Sequence, residues 1–94
     1  VVFKKHKEQI MLAEILEQYS DEELLLADGF DEAVIGIMSD FSEPRLIYSV
    51  KKCLEILMTR DEMSDIDALE YFTYNVSGGW VGEKTPVWCW DDFE

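Results

Sequence analysis

Histidine is almost missing from this chain: His6 is the one imidazole in 94 residues. It sits among lysines with no matched serine, cysteine or aspartate, so a Ser/His/Asp set cannot be assembled around it. Basic residues are also scarce, 8 against 21 acidic ones, for a formal net charge of −13. A direct binder of nucleic acid or of an anionic membrane needs the opposite sign, so neither partner is expected. Long apolar runs and signal-peptide patterns are lacking, and a cytoplasmic location is expected. Cysteine is limited to Cys53 and Cys89. Their spacing fits no disulfide framework, C-x-x-C pair or zinc site, so both are expected as reduced, buried thiols. There is no phosphate-binding glycine loop and no dinucleotide fingerprint, and no cofactor is expected.

What is present is enough for a core. Apolar residues make up 48% of the chain and aromatic residues 13%, which argues against disorder in spite of the charge. The length fits one domain, 1–94. Residues 3–19 read as an amphipathic helix, with Met11, Leu12, Ile15, Leu16 and Tyr19 on one face. Residues 24–90 form the body. Leu24–Ala27 reads as a short strand before the Asp28-Gly29 turn. Ala33–Met38 is apolar on both faces, which predicts a central strand, with Arg45–Tyr48 as its antiparallel partner.

The stretch Arg45–Gly79 carries the clearest signals. Ser49 is a helix cap, and Val50, Cys53, Leu54, Leu57 and Met58 follow at the spacing of one buried stripe. Ser64 with Asp67 forms a second cap, and Ile66, Leu69, Phe72 and Val76 are the expected buried face of the second helix. Asn75 to Gly79 ends it. Thr85–Trp90 reads as a last strand, and Asp91, Asp92 and Glu94 as an acidic tail over 91–94. The expected fold is α+β in the order α-β-β-β-α-α-β. It has a small, mostly antiparallel sheet of three to four strands, with helices packed on one face.

Several segments resemble a group of small uncharacterised proteins carried by bacteriophages and some bacteria. They are Asp28-Gly29-Phe30-Asp31, Ala33-Val34-Ile35-Gly36, Cys53 to Met58, Ala68 to Phe72, Asn75-Val76, Trp80-Val81-Gly82-Glu83 and Thr85-Pro86. The group's pattern reads approximately DGxDxAIIG…EILMxxDGM…EAxEYFxFNVxGAYVGExTPxF. The likeness runs from Asp28 to Pro86, about two-thirds of the chain, and leaves the N-terminal helix outside. The resemblance implies a phage-type accessory protein and brings no activity with it. The chain departs from the pattern at Glu62, where glycine is favoured, which suggests a different turn between the helices. It departs again at Gly79-Trp80, where Ala-Tyr is favoured, which places a larger aromatic beside the loop.

Two kinds of site follow from the residues. Asp28, Asp31 and Glu32 are the richest carboxylate region, and a divalent cation takes several oxygen ligands. Their spacing does not match an EF-hand loop, and an Asp-Gly turn with solvated acids is the preferred reading. The acids from Asp61 to Glu70 suit a helix N-terminus on dipole grounds. The second site is aromatic. Trp88 and Trp90 are two apart on a strand and share a face, which makes them core, a surface for homo-oligomers, or an anchor for a foreign partner. The loop Gly78–Lys84 joins Trp80 to Glu83 through Gly82, and those three residues are the expected contact surface. The functional expectation is a non-enzymatic domain that binds another protein, its acidic surface steering onto a basic host protein. The alternative is a small metal-binding or enzymatic domain using Asp28, Asp31 and Glu32.

Overall fold

The computed structural model describes residues 11–39 and 43–93. Helix α1 covers residues 11–18, and the part of the expected helix before it lies outside the described residues. Its inward line is Leu12, Ile15 and Tyr19, whereas Met11 and Leu16 are exposed. A 3₁₀ turn, Asp31–Ala33, leads into strand β1, Val34–Met38. Strand β2, Arg45–Ser49, runs directly into helix α2, Val50–Arg60. Helix α3, Asp65–Tyr71, continues into a π-helical turn, Phe72–Val76, and the chain returns as strand β3, Val87–Cys89.

The fold is α+β with a three-stranded mixed sheet in the order β1-β2-β3. β1 and β2 pair antiparallel, with a register shift between Val34 and Gly36. β2 and β3 pair parallel, Ile47 facing Val87 and Ser49 facing Cys89. A parallel pair needs a long crossover, and α2 with α3 supplies it. Three strand expectations are corrected here. Among the described residues β2, not β1, is central. Leu24–Ala27 joins no sheet, and the Ala27 amide instead donates to the Tyr48 hydroxyl at 2.7 Å. The last strand is shorter than 85–90, because Thr85 is committed to a loop.

The core gathers Leu46 and Tyr48 from β2, Val50, Cys53, Leu54 and Leu57 from α2, and Ala68 and Phe72 from the α3 segment, beside Val34 and Phe30. The α2 stripe is the one its spacing demands. Ser49 caps that helix, accepting the Lys52 amide at 3.0 Å, and Ser64 caps α3 by accepting the Asp67 amide at 3.1 Å. The face of α3 is corrected in part: Phe72 is buried and Val76 packs against the core as expected, but Ala68 points inward in place of Ile66 and Leu69, which are 68% and 43% exposed. Ala68 and Phe72 stand at i and i+4, so they make an inward line as regular as the expected one. The small alanine admits close approach to α2, and Phe72 fills the space between Trp88 and Trp90.

The turn between α2 and α3 bends at Glu62. Glu62 has φ 56, in the left-handed region that glycine favours. The glutamate therefore holds a backbone conformation that glycine would adopt without strain. Next to it Arg60 ties two parts of the chain together. Its guanidinium donates to the Gly29 carbonyl at 2.7 Å, holds Asp61 through two hydrogen bonds at 3.1 and 3.0 Å, and lies 5.5 Å above the Phe30 ring.

Candidate functional site

Residues 80–85 form a stapled loop. Thr85 is buried and does the stapling. Its hydroxyl donates to the Gly82 carbonyl at 2.6 Å and accepts the Val81 amide at 2.9 Å, and its own amide donates to the same carbonyl at 3.1 Å. Gly82 has φ 109, a backbone conformation that side chains resist, so glycine is required for this closure. Arg45 reaches over from β2 and donates to the Thr85 carbonyl at 3.5 Å. Lys84 adds weaker anchors, its ammonium 3.7 Å from Glu22 and 3.8 Å from Glu43. The loop is thus fixed to β2, to the turn after α1 and to the segment entering β2.

What this rigid base presents is apolar. Trp80 is 70% exposed and Val81 is nearly as open. Glu83 is exposed on the same loop and has no hydrogen bond or ion pair among the described residues. Beside the loop lies a cavity of about 580 Å³, bordered by Leu25, Leu26, Phe30, Tyr71, Val81 and Trp88 among others. Thr85 and Lys84 carry the loop's geometry but were not singled out from the sequence. A threonine three residues after a glycine, within a glycine-rich loop, was the available signal, since threonine hydroxyls close turns on nearby backbone.

The two remaining tryptophans divide between roles. Trp88 is largely buried, 5.1 Å from the Tyr48 ring and 5.4 Å from Phe72, and its indole nitrogen is buried without a hydrogen-bond partner. Trp90 also meets Phe72 edge-on at 5.7 Å but remains 49% exposed. Both rings therefore lie on Phe72, as two residues on one strand face should. Trp88 serves the core, and Trp90 is half core and half surface.

The acidic candidates are not brought together. No group of three His, Cys, Asp or Glu side chains able to hold a metal ion occurs among the described residues, and Asp28, Asp31 and Glu32 are no exception. Asp28 and Asp31 are exposed, and the Arg60 guanidinium bonded to Gly29 supplies the positive charge in that turn. Cys53 and Cys89 are both free thiols. Burial, helped by the nearby Asp91 charge, pushes the Cys53 thiol up to about 12, which removes its nucleophilic form at neutral pH. No helix among the described residues is long and apolar enough to cross a membrane. Comparison with protein-family models, curated proteins and solved structures finds no match to this chain.

Proposed function

We propose that this chain is a non-enzymatic protein-binding domain that recognises a basic protein, with Trp80 and Glu83 as contact residues and Gly82 shaping the turn between them. The observation that carries the reading is the stapled loop. A buried threonine, three hydrogen bonds and a left-handed glycine fix the backbone that follows an outward-facing indole. Pre-organised aromatic anchors of this kind dominate binding energy at protein interfaces, because little freedom is lost when the partner arrives. The net charge of −13 adds long-range steering toward a cationic partner. The phage-type resemblance supports an accessory protein acting in the cytoplasm of a host cell, by occupying a host protein rather than by chemistry.

The test is affinity capture from bacterial lysate, followed by titration of the purified partner with the parent chain, Trp80→Ala and Thr85→Val. Trp80→Ala should weaken binding by at least about 2 kcal/mol, the level that marks an interface anchor. Thr85→Val should weaken it less, by freeing the loop. Affinity should fall steeply with added salt. A partner whose affinity ignores both Trp80 and salt would overturn the reading.

A further inference from the structure

Helix α3 carries an apolar line that the fold leaves uncovered. Ile66 and Leu69 stand at i and i+3 on its outer side, while Ala68 and Phe72 take the core side. Across from them the C-terminal segment contributes Trp90 and Phe93, also three residues apart and exposed. Leu54 and Met58 of α2 line the same trough, whose volume is about 450 Å³. Trp90 is held edge-on against the buried Phe72 ring, so one wall of the trough is braced by the core.

The rim is charged, and its sign is one-sided. Glu55, Asp65 and Asp92 border the trough against a single cation, Lys51. The Lys51 charge acts on neighbouring Asp91, whose carboxylate accepts the Lys51 amide. We propose that this trough is a docking groove for a short basic amphipathic helix of a protein partner, a site that rests on the protein-binding reading above and adds a second contact region to it.

Charge and geometry both favour that occupant. An incoming helix satisfies its own backbone, which suits a trough lined by residues of α2, α3 and the C-terminal segment and by none of a strand. Apolar anchors at i, i+3 or i+4, and i+7 would enter between the Ile66–Leu69 wall and the Trp90–Phe93 wall, while flanking lysines or arginines would meet Glu55, Asp65 and Asp92. The α2 residues that line the trough, from Lys51 to Met58, give a wall of about 10 Å, enough for two turns of a docked helix. A second copy of the chain is a poor occupant, because it brings the same acidic rim and the same net charge of −13.

The probe is a tryptophan-free peptide of about 14 residues, long enough for three to four turns, with leucines at helical spacing and lysines elsewhere. It is titrated into the full chain carrying Trp80→Phe, so that the exposed reporter is Trp90. The same peptide with glutamates for lysines is the control. The expected result is a saturable blue shift of Trp90 emission with the lysine peptide alone. The affinity should weaken at least about tenfold in the double variant Ile66→Ser/Leu69→Ser, whose fold is checked by circular dichroism. Amide-shift mapping should confine the changes to α2, α3 and residues 90–93. Equal binding by parent and double variant, or shifts centred on another acidic surface, would overturn the groove while leaving a cation-binding domain. A concentration-dependent dimer abolished by the double variant would assign the trough to a second copy and overturn it as well. Absence of any salt-sensitive binding by the lysine peptide would remove the groove, while the Trp80-dependent capture tests the broader reading by itself. A Trp80-dependent partner with an unaffected double variant would remove the groove alone.

Discussion

Asp91 completes the helix cap that Ser49 begins. The Asp91 carboxylate accepts the Ser49 hydroxyl at 2.6 Å and the Lys51 amide at 3.0 Å, and the Ser49 oxygen in turn accepts the Lys52 amide at 3.0 Å. Two otherwise unpaired amides of the first turn of α2 are satisfied, one by each side chain. The residue after Trp90 thus fastens the end of the chain to the start of a helix more than 40 positions earlier in sequence order. Asp91 is therefore not part of a free acidic tail, although Asp92 and Phe93 are exposed.

Asp91→Asn should lower stability by about 1 kcal/mol at neutral pH, the usual worth of a cap, reduced here by solvent around an exposed carboxylate. Partial burial pushes the Asp91 carboxyl upward, but the hydrogen bonds from Ser49 and Lys51 outweigh it and hold the group below its ordinary value. A depressed carboxylate stabilises the fold above its unfolded value and loses that contribution as pH falls through its folded value. The melting-temperature gap between parent and Asp91→Asn should therefore close in acid, below the ordinary carboxylate range. A gap that stays constant down to strong acid would show that the carboxylate's charge is irrelevant to the cap.

Leu57 and Phe72 are fully buried, and truncating either to alanine should cost on the order of 2–5 kcal/mol. Leu69→Ala should cost about 1 kcal/mol or less, since the side chain lies against solvent. Urea unfolding of the three variants measures this directly. If Leu69→Ala proves as damaging as Phe72→Ala, the orientation of α3 described above is wrong.

The contrast between those residues shows what the chain's pattern does and does not disclose. Helix α2 was legible because capping, apolar spacing and polar flanks agree on one face. Helix α3 was legible in part: Phe72 and Val76 turn to the core as their spacing says, but between Ile66–Leu69 and Ala68 hydrophobicity favours the wrong residues. Packing chose the line whose alanine lets the helix approach and whose phenylalanine receives two tryptophans. The parallel pairing of β3 was equally hidden, because residue pattern states neither strand direction nor neighbour. At the candidate site, exposure of Trp80 follows from its glycine-rich surroundings, but the Thr85 staple depends on a close approach that only the folded loop displays.

Alkaline pH should unfold the protein early. Burial, partly offset by the Ala27 amide's hydrogen bond and reinforced by the charges of Asp31 and Cys53, pushes the Tyr48 hydroxyl up to about 12. Cys53, also raised to about 12 by burial, sits in the same core. A group whose folded value lies above its unfolded one stabilises the fold at low pH and loses that contribution as pH climbs from the unfolded value to the folded one. The loss should begin near the unfolded thiol value, about 8.5, and deepen past about 10 for tyrosine. Cys53→Ala should delay the onset while lowering stability at neutral pH through the cavity it leaves. Stability profiles of parent and variant between neutral and strongly alkaline pH check both effects, and superimposable profiles would contradict the assignment.

Glu62 offers the sharpest test of backbone strain. Its φ of 56 places an ordinary side chain in the left-handed region, which costs roughly 1–2 kcal/mol for a non-glycine residue. The conformation is maintained because it folds the Met63 amide back to the Leu57 carbonyl at 3.3 Å, closing the end of α2 just after Asp61. The glutamate's charge is also misplaced, since the C-terminal end of a helix disfavours anions. Glu62→Gly relieves the strain and the charge but adds about 0.5–1 kcal/mol of unfolded-chain entropy to be lost. The balance favours the variant by up to about 1 kcal/mol. Glu62→Val should move the other way, because a β-branched side chain tolerates positive φ least. Chemical denaturation of the three proteins orders them Gly, Glu, Val from most to least stable, and a valine variant as stable as the glycine one would mean that the turn is not left-handed in solution.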